Sequence, residues 1–214
     1  MSFKSIADKA IEYFDDHTWN VFKACGQELL KKVKKYGANS ETSLAHARVL
    51  IAMIGQAYGA TRFKVRPWSD DKDLYKISKA LVGQIQRMRP SIKMHLIMES
   101  LEKSFKYKKI EHYSWPSKVG HVLWPQICPI YDSRATYSLG KIGKFLSNEV
   151  PHSILGWRDC SWEEYINSMH TVLNTFRNYY DKISDFHELD KVLWYYGSKD
   201  EIEPLSKEIR RINR

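Results

Sequence analysis

Apolar side chains return every three or four residues along most of this chain, and that spacing constrains the fold more than any other feature. In "SIADKAIEYFDDH", Ile6, Ala10, Ile11 and Phe14 share one helical face, with Ser5 placed as a cap. "TWNVFKACGQELLKKVKKYG" continues from Thr18 with Val21, Phe22, Cys25, Leu29, Leu30 and Val33 in register. It stops at Gly37, the residue type that suits a left-handed helix end. "SETSLAHARVLIAMIGQAYG" opens on a Ser40 cap and is apolar almost all round, which predicts a central buried helix. Further helices are expected from about Asp73 to Met88, Ser91 to Lys106, Asp132 to Ser147, and from Ser161 through "WEEYINSMHTVLNTFRNYYDKI". "FHELDKVLWYYG" reads as a last packed helix ending at Gly197. No run alternates with a period of two, so the expected fold class is all-α, a compact multi-helix domain of roughly eight to ten helices.

Hydrophobic residues make up 43% of the 214 positions, enough for a sizeable core. No Pro/Gly/Ser-rich linker interrupts the helical pattern. The expectation is one helical domain over residues 1–197, in one lobe or two, followed by a polar and basic tail at 198–214. The segment "ATRFKVRPWSDD" (60–71) breaks the periodicity at Pro67 and reads as a loop. No apolar run approaches the roughly 20 residues needed to span a bilayer. The start "MSFKSIADKAIEYF" lacks a signal-type apolar core, so a cytoplasmic protein is expected. Three cysteines, Cys25, Cys128 and Cys160, lie far apart and read as reduced structural thiols.

Charge adds the first functional indication. The net charge is +9, with clusters at "KKVKK" (31–35), "RFKVR" (62–66), "KSFKYKK" (103–109) and "KEIRRINR" (207–214). Phosphate binding is one use of such a balance; solubility is the other. The phosphate loop, the Rossmann glycine fingerprint, the HExxH zinc motif and the GxSxG elbow are all absent. The eight histidines show no ligand spacing, so no metal and no cofactor is expected.

One stretch, "WPSKVGHVLWPQICPIYDSRA" (115–135), concentrates the chemistry. Pro116 suits the first turn of a helix, where its missing N–H costs nothing. Lys118 would then stand in that turn, where the positive helix end and partial burial among Trp115, Val119 and Val122 both favour the neutral amine. A neutral amine is a nucleophile. Asp132 follows 14 residues later as the N-cap of the next helix. Two prolines between them permit a fold-back that brings both helix starts to one edge. The same residues also read as a solvated lysine and a purely structural cap.

The pattern "SKVGHVLWPQICPIYDSRA" resembles the active-site region of the helix-hairpin-helix DNA glycosylase superfamily, closest to its 8-oxoguanine branch and to bacterial proteins of that fold. Ser117–Lys118–Val119 stands where that family has its lysine step, and Pro129–Ile130–Tyr131–Asp132 where it has its aspartate step. "ELDKVLWYYG" resembles C-terminal segments of the bacterial group. The resemblance implies a DNA glycosylase, with AP-lyase activity, whose partner is duplex DNA carrying a modified base. It implies catalytic roles for Lys118 and Asp132 and no cofactor. On that reading Arg62, Lys64, Arg66 and Trp68 form a DNA-facing loop, and Arg134 contacts a phosphate. Tyr58, Trp68, Trp115, Trp124 and Tyr131 are then the aromatics available to stack on an extruded base. The chain departs from the family in having no glycine pair before Lys118, a shorter lysine–aspartate interval, and Arg134 where the family often has histidine. An inactive nucleic-acid-binding module of this fold and a protein–protein adaptor with basic faces are the alternatives.

Overall fold

Eight helices of 10 to 20 residues carry the structure among the described residues of this computed structural model, which are 3–13, 16–59, 71–88, 93–104, 114–132, 135–139 and 161–197. They are α1 (Phe3–Tyr13), α2 (His17–Tyr36), α3 (Glu41–Gly59), α4 (Asp71–Arg87), α5 (Met94–Ser104), α6 (Ser114–Leu123), α7 (Trp162–Tyr179) and α8 (Phe186–Gly197). Residues 135–139 add a short helical segment, and no strand occurs among the described residues. The protein is therefore all-α. The stretch from 60 to 70, Ile6 and Phe14 as side chains, Cys160, the expected helix beyond 139 and the tail at 198–214 lie outside the described residues.

The chain divides into two compact units. The continuous unit is Asp16–Trp124 and holds α2 to α6. The split unit joins Met1–Asp15 to Pro125–Arg214 and holds α1, α7 and α8.

In the continuous unit α2 packs on α3, α4 and α6, and α3 on α4 and α6. The buried face of α2 runs through Trp19, Phe22, Gly26, Leu29 and Val33. That 3–4–3–4 spacing is narrower than the expected register: Val21 points outward, 40% exposed, and Trp19 and Gly26 take inward positions. Gly37 ends α2 at φ 82°, the left-handed region that a side chain disfavours, and its N–H bonds back to the Val33 carbonyl at 2.9 Å. Three residues later Ser40 caps α3: its Oγ accepts from the Ser43 N–H at 3.1 Å, and its carbonyl takes the Leu44 N–H.

Helix α3 is one-sided rather than buried all round. Ser43, Leu44, Ala47, Leu50, Ile51 and Ile54 are buried, whereas Val49 is 55% exposed. Burying each large aliphatic side chain contributes about 1.5–3 kcal/mol, so this single face supplies a large part of the unit's cohesion. Helix α4 begins at Asp71, two residues before the expected start, and buries Leu74, Ile77, Leu81, Val82 and Ile85.

In the split unit α1 packs on α8, which also meets α7. Ala7 and Ala10 of α1 are fully buried. Asp8 ties α1 to the α7–α8 connection, accepting hydrogen bonds from Lys182 Nζ at 2.8 Å and from the Tyr180 hydroxyl. Helix α7 opens with a reciprocal cap. The Ser161 Oγ accepts the Glu164 N–H at 3.2 Å, and the Glu164 carboxylate accepts the Ser161 N–H at 2.7 Å.

Candidate functional site

Lys118 belongs to α6, a helix anchored in the continuous unit at two points. The first is Gly26 of α2. A Cβ there would lie 3.0 Å from both Val122 Cγ1 and the Val122 carbonyl oxygen, so only glycine permits so close an approach of α2 to α6. The second is Trp19, whose ring lies 4.9 Å from that of His121, a fully buried residue. Val119, Val122 and Leu123 are also buried, and α6 packs on α5 and α3 besides α2. On this frame Lys118 is half-buried, next to half-buried Trp115.

The start of α6 differs from the expectation. The helix begins at Ser114, and the Ser117 Oγ donates to the Ser114 carbonyl at 2.8 Å. Pro116 is in the first turn, as its chemistry asks, but Lys118 falls in the second. The helix-dipole effect fades within one turn, so it acts less strongly on this amine than a first-turn place would allow.

Asp132 belongs to the split unit; the chain passes from one unit to the other between Trp124 and Pro125. Its carbonyl accepts the Thr136 N–H at 2.8 Å and the Thr136 hydroxyl at 2.6 Å, which is the bonding of a residue that begins a helix. Asp132 itself is half-buried. The segment leading to it is held firmly. Pro125, Cys128, Pro129, Ile130 and Tyr131 are buried. The Tyr165 hydroxyl donates to the Ile130 carbonyl at 2.5 Å, and Ser138 donates to the Leu193 carbonyl at 2.6 Å. Lys118 and Asp132 are thus each set by their own unit's core.

Against expectation, Tyr131 has no face open for stacking on a base. It is 3% exposed, with its ring 4.6 Å from Tyr165 and 5.9 Å from Trp162, so it is part of the packed interior. Trp115 and Trp124 are half-buried and keep accessible surface. Arg62, Lys64, Arg66, Trp68 and Arg134, and the side chain of Tyr58, lie outside the described residues. Cys128 is buried and its apolar surroundings push the thiol far up, which keeps it neutral and fits the structural role expected of it.

Two features went unread in the sequence. His121 is three residues beyond Lys118 on the same helix, a spacing visible in the sequence, but only packing shows its ring tilted against that of Trp19. Lys191, inside the packed helix α8, is 4% exposed and bonds to Glu188 at 3.3 Å. Comparison with protein-family models, with curated proteins and with solved structures gives no match for this chain.

Proposed function

We propose that the protein is a helical DNA glycosylase with lyase activity, in which Lys118 is the amine nucleophile and Asp132 the assisting carboxylate. The observation that carries the reading is the half-buried lysine on α6, a helix seated on α2 through Gly26 and through the Trp19–His121 ring contact. A nucleophile needs a fixed approach and partial shelter from water, and such a helix supplies both. The roles of the two residues come from the sequence resemblance.

The target nucleotide leaves the duplex, at a cost of a few kcal/mol. The neutral Lys118 amine attacks C1′, a C1′–N bond forms to the protein, and the bond to the base breaks. The base departs with that electron pair and takes up a proton. Loss of a proton from the nitrogen and opening of the sugar ring give a Schiff base. Asp132 offsets positive charge developing on the sugar and relays protons. β-Elimination then cleaves the strand, and water hydrolyses the Schiff base to free the lysine.

Borohydride trapping tests this directly. Purified protein is offered duplexes carrying oxidised, deaminated, alkylated and bulky modified bases. A covalent adduct should form with at least one and vanish in Lys118→Gln, with DNA affinity held within a few-fold. Asp132→Asn should slow base release severely. A wild-type protein that yields no adduct across the panel overturns the enzyme reading.

A second reading, a DNA-binding module of the same fold without catalysis, is favoured by one observation. Lys118 stands in the second turn of α6, where the helix dipole does little to keep the amine neutral. Duplex binding without any adduct is its signature.

A further inference from the structure

We infer that the outward face of α4 is a docking surface for the phosphate backbone of duplex DNA. At 100° per residue, Lys72, Lys76, Lys79, Gly83 and Arg87 fall within a sector of about 80°, so they form one straight stripe along the helix. Lys72, Lys76, Lys79 and Arg87 are all exposed. The opposite face, with Leu74, Ile77, Leu81, Val82 and Ile85, is buried against the rest of the unit.

These four cations differ from the lysines of the more conspicuous "KKVKK" run. There Lys31 and Lys32 lie 4.0 and 3.0 Å from the Glu28 carboxylate, and Lys35 sits over the Tyr36 ring at 4.9 Å. No carboxylate among the described residues pairs with Lys72, Lys76, Lys79 or Arg87. Of the two acids in the first turn of α4, Asp73 is buried, and Asp71 lies off the stripe, 3.8 Å from Arg48. The stripe itself therefore carries four cations and no carboxylate.

A second, independent feature lies at its far end. An open groove of about 340 Å³ runs between α4 and the turn that joins α2 to α3. Ala80 and Gly83 are among its walls, with Asn39, Lys79, Gln86 and Arg87 supplying the polar ones. A glycine inside a helix is unfavourable by roughly 1 kcal/mol against alanine. Nothing lies within 4 Å of a Cβ placed at Gly83, so no internal packing calls for its missing side chain. What that absence does provide is room for another backbone to approach between Lys79 and Arg87.

The chemistry of the face selects the occupant. From Lys72 to Arg87 the stripe covers about 22 Å at 1.5 Å per residue, the length of roughly six or seven base-pair steps along the axis of a duplex. A protein partner would want an apolar centre, whereas the one large hydrophobic residue exposed on α4 is Tyr75, at the edge of the stripe. A single strand would want a row of stacking aromatics, and this face has one. The choice of DNA over RNA rests on the reading proposed above.

The test uses the full chain and an unmodified labelled DNA duplex of about 20 base pairs, titrated by fluorescence anisotropy between about 50 and 200 mM salt. The variant is Lys72→Gln, Lys76→Gln, Lys79→Gln, Arg87→Gln combined, with circular dichroism showing that its helix content and melting are retained. The slope of log K against log salt should become shallower by about 3–4, since each neutralised phosphate contributes about 0.9. Gly83→Leu, which fills the groove, should weaken binding several-fold with the charge unchanged. An unaltered slope in the fourfold variant overturns the inference. So does tighter binding of an RNA duplex, of single-stranded DNA or of an acidic polypeptide of equal charge, and so does wild-type affinity in Gly83→Leu. Because the duplex carries no modified base, the slope is read independently of whether any adduct forms with Lys118.

Discussion

At the scale of single residues, two glycines in helices do opposite things. Gly26 is buried, with Val122 side-chain and backbone atoms 3.0 Å from where a Cβ would stand. The backbone oxygen cannot turn aside, so a methyl group must separate α2 from α6. Overpacking of this kind costs about 1–3 kcal/mol, more than the roughly 1 kcal/mol of helix propensity that alanine adds. Gly26→Ala should therefore lower stability by about 1 kcal/mol, and Gly83→Ala, which meets nothing, should raise it by about 0.5–1 kcal/mol. Urea denaturation of the two variants checks both signs. His170 gives a pH-dependent counterpart. Burial, together with the Arg177 charge, holds its pKa below the ordinary value of 6.5, and its ring meets Phe186 edge-on at 4.7 Å. The unfolded chain then binds the proton more readily than the folded one. Stability should be complete above about pH 6.5 and fall as the pH drops below it toward the folded pKa. Melting temperatures of wild type and His170→Gln from pH 7.5 to pH 5 should show this decline weakened in the variant.

At the scale of elements, helix ends are where local chemistry can be separated from packing. Helix α7 begins at an exposed capping box in which both partners satisfy otherwise unpaired N–H groups. Ser161→Ala should cost about 1 kcal/mol, while Ser161→Asp, which can still accept the Glu164 N–H, should retain most of it. The Glu164 pKa is lowered by the bonds it receives from the Ser161 N–H and hydroxyl. Its contribution is present above the ordinary glutamate range and lost as pH falls through the lowered value. The melting difference between wild type and Glu164→Ala, which removes the carboxylate, should accordingly narrow on acidification, and equal differences at pH 7 and pH 3 would exclude the carboxylate's part in the cap.

At the scale of the molecule, the two units are unequally continuous. Asp16–Trp124 is one uninterrupted piece, with its core built from α2 to α6. The other unit needs α1, whose Ala7 and Ala10 are buried and whose Asp8 bonds to Tyr180 and Lys182. A fragment of residues 16–124 should fold alone and melt cooperatively. A fragment beginning at Pro125 lacks α1 and should remain loosely packed, with its cooperative transition restored by adding the 1–15 segment through a linker. Circular dichroism melts and limited proteolysis distinguish these outcomes; equal cooperativity in both fragments would show α1 to be dispensable.

Much of the local structure was legible because it depends on neighbours within one turn. The helical class, the Ser40 and Ser161 caps, the stop at Gly37 and the start of a helix at Asp132 all follow from hydrogen bonds over three or four residues, which periodicity and residue type encode. The inward turn of Trp19 and Gly26, the exposure of Val21 and Val49, and the burial of Tyr131 depended on partners far along the chain. Gly26 of α2 meets Val122 of α6, far along the chain, and no local pattern carries that information. Nor does one reveal that the two residues of the candidate site are positioned by separate cores. Short-range hydrogen bonding is written in sequence order, whereas which face is buried, and which unit holds each chemical group, is decided by the packing of distant segments.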